Sequence, residues 1–238
     1  MLSSGLFLSL AFSIGFIFES IFGFGGGVIS YSILGFFFDI KSIVMVGLYI
    51  GTITAIVIVI TGYKNINIKI VKNTILYIIL GIFLGVVFFK ILPSKILIRI
   101  YSITLIIIST RALFFSELKI KEKYTKYFLF LGGIIQGALG VGGPIFAIVL
   151  KTQNLNKTVL RSTLGLIFAI CNVIRIIQLF ITNVLKIDFF TTNWYIPLPV
   201  MFSLWFGYII HKKIPQKSFD RYIYILIFTS AIAFLVFL

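Results

Sequence analysis

Cysteine is all but missing from this chain: Cys171 stands alone among 238 residues. That excludes an intramolecular disulfide and a multi-cysteine metal site. Its apolar neighbours suit a small packing side chain. Acidic residues number only 6 and histidine 1. No His/Asp/Glu cluster and no nucleophile beside a base appears, so the sequence predicts no metal centre and no cofactor, and it argues against an enzyme. Charged residues make up 11% of the chain against 60% hydrophobic residues. So little polar surface cannot clothe a soluble globule. Residues 1–17 lack a basic n-region, and a glycine cluster follows before any cleavage site, so this first segment is expected to stay in the mature protein.

What the chain has instead is apolar runs. They fall at about 3–22, 26–38, 43–62, 73–91, 97–115, 127–139, 143–150, 160–182, 193–210 and 221–238. The longer ones have the roughly 17 to 25 residues needed to cross about 30 Å of hydrocarbon. The expected fold is all-α, a polytopic bundle of transmembrane helices in the cell membrane. In a soluble protein the net charge of +15 would point to nucleic acid. Here the basic residues sit in short loops between apolar runs, where they orient the protein and meet anionic lipid headgroups; no nucleic-acid partner is expected.

The chain also repeats itself. FGFGGGVIS at 22–30 is answered by LGVGGPIFA at 139–147, an offset of 117 residues. ILPSKILIRIY at 91–101 is answered by KIPQKSFDRYI at 213–223, with Pro93, Lys95 and Arg99 matching Pro215, Lys217 and Arg221 at an offset of 122. Two landmarks in the same order predict a duplication into repeats at 1–118 and 119–238 that together form one membrane domain. With the N-terminus outside, the loops at 62–74, 111–126, 151–161 and 212–221 carry 15 basic residues on the cytoplasmic side. Only Lys41, Lys90, Lys95, Arg99 and Lys186 then face outward, and Arg175 lies within the membrane. That imbalance fixes the orientation and makes each half an odd number of crossings, so the repeats are expected to be inverted, as in many transporters. The count holds whether the paired segments 1–2 and 6–7 span fully or form re-entrant hairpins.

Gly23, Gly25, Gly26 and Gly27 are too dense for a helix-packing face, and Gly140, Gly142 and Gly143 lead into Pro144, which suits the first turn of a helix. Both clusters read as a break followed by a helix start. Such a start presents unpaired N–H groups and a partial positive charge, and two of them near the midplane would hold a small anion without any fixed charge. Packing kinks alone are the alternative.

GFGGG and GVGGP, each opening one half, and LRSTLGLIFAICN at 160–172 resemble the TauE/SafE family, the sulfite exporters, over essentially the whole chain. The chain departs from the usual pattern in lacking a proline several residues after either cluster, and in carrying Pro144 where the first half has Gly27. The resemblance implies a secondary transporter that exports a small anion, sulfite or another sulfur-containing anion. An anion channel, or a carrier of an unrelated small anion, stays open beside it.

Polar residues at membrane depth complete the expectation. Asn172, Arg175 and Gln178 recur every three residues on one face of a helix, a cation between two amides that would bind an anion. An ion pair between Arg175 and Glu19 is the alternative. Glu19 precedes the first cluster by four residues and corresponds to Gln136; a buried carboxylate there is a candidate proton-coupling site. Thr52, Thr54, Ser162 and Thr163 are possible donors, although such hydroxyls usually bond their own helix. His211, beside Lys212 and Lys213, reads as a solvated loop residue.

Overall fold

The computed structural model describes residues 2–93 and 122–216 throughout, with scattered positions between 95 and 110 and between 218 and 232. The expected segments at 97–115 and 221–238, the landmarks Lys217 and Arg221, and the basic residues Arg111, Lys119 and Lys121 fall wholly or largely outside the described residues. The helices are α1 (Leu2–Phe22), α2 (Gly26–Leu34), α3 (Ile40–Gly62), α4 (Ile68–Ile91), α5 (Glu122–Leu139), α6 (Gly143–Lys151), α7 (Lys157–Ile181), α8 (Ile187–Thr192) and α9 (Pro197–Lys213). Among the described residues there is no strand. The all-α membrane expectation holds. Among the described residues four helices are long and apolar enough to cross a membrane, over Gly5–Phe22, Ile40–Asn65, Ile68–Ile91 and Lys157–Ile181. The six residues of α8 lie between the expected runs at 160–182 and 193–210, because so short a helix shows no periodic pattern in the sequence.

Helix starts are set by short polar side chains. Asp39 Oδ2 accepts the N–H groups of Lys41 and Ser42 at 2.9 and 3.2 Å at the start of α3. Asn67 Oδ1 accepts Ile70 N–H at 3.1 Å at the start of α4, and Asn156 Oδ1 accepts Val159 N–H at 2.8 Å at the start of α7. Asp39 thus satisfies two, and each asparagine one, of the donors that a helix N-terminus leaves free. Asp39 and Asn156 are themselves 117 residues apart.

Helices α2 and α6 have nine residues each, about 14 Å at 1.5 Å per residue, and so reach only about halfway through the hydrocarbon. After α2 the chain returns along α1: the Phe7 ring meets Phe37 edge-on at 5.1 Å and stacks against Phe38 at 6.2 Å. The pair is a hairpin whose tip is the glycine cluster. Helix α1 packs on α2 and α9, α5 on α6 and α4, and α3 on α7.

Close approach is made by glycines outside the two clusters. A Cβ at Gly81 or Gly85 of α4 would lie 2.2 Å from Phe130 O or 2.1 Å from Ile134 O of α5. From the other side, Gly133 and Gly137 would meet Ile78 O at 2.3 Å and Ile82 O at 2.5 Å. This is a small-xxx-small seam, in which van der Waals contact replaces the hydrophobic drive that lipid cannot supply. Between α1 and α9 the same work falls to Gly207, whose Cβ would lie 2.6 Å from Ile17 O, and to Ser20, whose hydroxyl donates to Leu204 O at 2.6 Å.

A cavity between two broken helices

At the first break, Gly23 and Gly25 take φ of 85° and 102°; at the second, Gly140 takes 73°. Only glycine enters this left-handed region freely, so the sequence ends α1 and α5 there and lets a new helix begin within a few residues. Pro144 occupies the first turn of α6, where its missing N–H costs nothing.

Both breaks are closed by side chains. Glu19 Oε2 accepts Gly26 N–H at 3.0 Å, and its counterpart Gln136 presents Oε1 to Gly142 N–H at 2.9 Å. Each long helix thus caps the half-helix that follows it. The carbonyls at the ends of the long helices are also satisfied. Arg161 Nε donates to Ser20 O at 2.5 Å, and His211 Nδ1 meets Ile21 O at 2.7 Å. Arg175 Nε donates to Gly137 O at 2.8 Å, and its Nη2 to Ala138 O at 3.3 Å. Ser20 and Ile21 lie 117 residues before Gly137 and Ala138, so equivalent carbonyls meet nitrogen donors in both halves, as the negative end of a helix favours for cations.

Two expectations change here. Arg161, expected in the cytoplasmic loop at 151–161, and His211, read as a solvated loop residue, are each only 2% exposed. The physical reason is the end of α1, whose carbonyls need donors that lipid does not provide. The Lys157 ammonium joins this cluster, donating to His211 O at 2.7 Å and to Ile214 O. The considered ion pair between Glu19 and Arg175 is also absent among the described residues: the carboxylate holds Gly26 N–H, and the guanidinium holds carbonyls.

Between the breaks lies a cavity lined by Glu19, Gly25 and Gly27 from the first half and by Gly140, Gly143, Pro144, Asn172 and Arg175 from the second. Gly23, Gly26, Gly142 and Gln178 do not line it. Gly23 gives room to Arg161, whose Cα would be 2.9 Å from a Cβ there; Gly26 makes room for Glu19, and Gly142 for the Gly132 carbonyl. Gln178 is half-buried one turn beyond Arg175, with Oε1 unpartnered. Thr52 and Thr54 bond Leu48 O and Ile50 O of their own helix at 2.6 and 3.0 Å. Thr163 Oγ1 accepts Asn67 N–H at 3.1 Å, and Ser162 Oγ is buried without a hydrogen-bond partner among the described residues.

The amides around the cavity have a fixed sense. Gly142 N–H can only donate, so Gln136 turns Oε1 to it and gives its Nε2–H to Asn172 Oδ1 at 3.2 Å. Asn172 is left with its Nδ2 donor on the side of the cavity, 3.5 Å from where a Cβ of Gly51 would stand. Arg175, 1% exposed, keeps Nη1 without a hydrogen-bond partner among the described residues. A buried cationic N–H with no acceptor is rare and costly. The cavity walls therefore offer donors, suited to oxygen atoms of an anion, with Glu19 as the one acidic group among the described lining residues. Its room is only ≈ 20 Å³ for the centre of a water-sized molecule, enough for about one water. An anion larger than that needs the walls to part.

The model of one protein family, sulfite exporter TauE/SafE, matches residues 7–234. No curated protein and no solved structure matches the chain.

Proposed function

The chain belongs to the sulfite exporter TauE/SafE family, and from that premise we propose that it exports sulfite or another small sulfur-containing anion through the cavity between its broken helices. Membership makes it an integral membrane transporter and not an enzyme. The observation that carries the substrate reading is Arg175 Nη1, a buried cationic donor without a hydrogen-bond partner among the described residues, whose neighbours Nε and Nη2 are already fixed on carbonyls. A fork held on one side grips an oxyanion on the other.

In this reading Arg175 and Asn172 contact the anion directly. Gly25, Gly27, Gly140 and Gly143 keep side chains out of its path, and Pro144 starts α6 towards it. Gly23, Gly26 and Gly142 shape the two breaks. Gln178 continues the polar face of α7 away from the cavity. Glu19 carries a proton: ionised, it is an acceptor that repels the anion, whereas protonated it offers an O–H, so binding of the anion and of a proton favour one another.

The halves 1–118 and 119–238 act as inverted repeats that expose the cavity alternately to each side. Support comes from the equivalent caps at Asp39 and Asn156 and at Glu19 and Gln136, and from the reciprocal packing of α1 on α9 and α5 on α4. Purified protein in liposomes should show saturable counterflow of labelled sulfite, inhibited by unlabelled sulfite and by the better-fitting members of a sulfate, thiosulfate and sulfonate series. Flux that neither saturates nor shows counterflow would instead mark a channel.

A further inference from the structure

Tyr31 stands on α2, one turn beyond Gly27, and is only 2% exposed. Its ring packs edge-on against Phe12, with centroids 6.4 Å apart. The hydroxyl reaches out of α2 towards α3 and the second break. A Cβ at Gly47 would lie 2.1 Å from Tyr31 Oη, so the absence of a side chain on Gly47 makes the space that the hydroxyl fills. A Cβ at Gly140 would lie 3.5 Å from Tyr31 Oη and 2.6 Å from Arg175 Nη1. The phenol oxygen and the unpartnered guanidinium nitrogen thus flank one point on the cavity wall.

Tyr31 lines the cavity and makes no hydrogen bond to any described residue. The hydroxyl belongs to the cavity wall, and phenylalanine at the same place would keep the ring packing on Phe12. Packing alone does not account for the oxygen.

We propose that Tyr31 is a substrate-binding residue, its O–H donating to one oxygen of an oxyanion whose other oxygens take Arg175 Nη1 and Asn172 Nδ2. The donors come from α2 in the first half and α7 in the second, so the bound anion ties the two halves together across the cavity. This rests on the cavity being the transport site, and it adds a contact from the first half that the glycine clusters and the polar face of α7 do not supply.

The test uses the full-length protein in detergent, comparing wild type with Tyr31→Phe. Melting temperature without added anion reads the fold, and titration with sulfite, sulfate and thiosulfate reads binding. Because the phenyl ring keeps its packing on Phe12, Tyr31→Phe should melt at or above the wild-type temperature without anion. Its affinity for the anion that wild type binds best should fall about 10- to 100-fold, the loss of one hydrogen bond to a charged acceptor. An unchanged affinity overturns the role of Tyr31 and leaves the cavity as the anion site. A lower melting temperature without anion assigns the hydroxyl to the fold and overturns it too. If wild type binds none of the three anions, the transport-site reading falls and the role of Tyr31 falls with it.

Discussion

Arg175 divides the donors of one guanidinium between two tasks: Nε and Nη2 hold Gly137 O and Ala138 O, while Nη1, beside the cavity, meets no acceptor among the described residues. A lysine keeps the charge but has no planar fork to do both at once. Arg175→Lys is therefore expected to insert and fold, to melt lower, and to lose about tenfold or more in anion uptake. Full uptake by this variant would show that the charge alone suffices. Arg175→Gln strips the cation from two buried carbonyls at about 1–3 kcal/mol for each one left unpaired. Because Glu19 pairs with Gly26 N–H and not with Arg175, adding Glu19→Gln should not restore the lost stability. Recovery of the melting temperature in the double variant would reveal an ion pair after all. Gly140→Ala is a sharper probe of the cavity wall. Its methyl would stand 2.6 Å from Arg175 Nη1 at a φ of 73°, a conformation that costs a non-glycine residue about 1–2 kcal/mol. Anion binding should fall by more than the drop in melting temperature accounts for.

At the scale of single elements, the half-helices depend on their caps at both sides of each break. Leucine at Gly26 would press on Glu19 Oε2, which lies 2.6 Å from the Cβ position, and leucine at Gly143 would press on Phe24, whose Cβ lies at 2.7 Å. Gly26→Leu and Gly143→Leu should each abolish transport while part of the protein still reaches the membrane folded. Normal transport by either would remove the broken-helix site. The end of α1 makes a separate demand. Arg161→Gln shortens the donor that reaches Ser20 O, and leaving that carbonyl unpaired should lower stability by about 1–3 kcal/mol. A scan of melting temperature in detergent measures this, and an unchanged value would mean that water replaces the guanidinium.

For the whole molecule the decisive question is which side each loop faces. Single cysteines placed in a Cys171→Ala background can be labelled from outside the cell, since Cys171 itself is buried and its loss removes the one native thiol. Ile66→Cys is expected to be cytoplasmic, and Lys41→Cys and Asp188→Cys external; position 121, outside the described residues, is expected on the same side as Ile66. Finding positions 66 and 121 on opposite sides would end the inverted-repeat model. The small cavity adds a mechanical expectation: uptake requires the walls to separate, so cross-linking the α1–α2 hairpin to α7 should block transport without unfolding the protein.

Length, apolar runs and glycine spacing fixed much of this in advance, because the bilayer sets helix length and glycine is the residue that lets a helix stop inside it. The breaks after Phe22 and Leu139, the half-helix starts at Gly26 and Gly143, and the shared helix face of Asn172 and Arg175 are legible from local pattern. What only the tertiary structure decided is who satisfies whom. Arg161 and His211 look like loop residues beside other bases in the sequence, and nothing local says that the carbonyls of Ser20 and Ile21, more than a hundred residues earlier, need their protons. Tyr31 escapes local pattern for the same reason: an aromatic residue in an apolar helix looks like packing until Gly47 and Gly140 are brought against its hydroxyl. Backbone groups buried in lipid must find partners somewhere in the folded chain, and that pairing is settled across helices, where no spacing in the sequence records it.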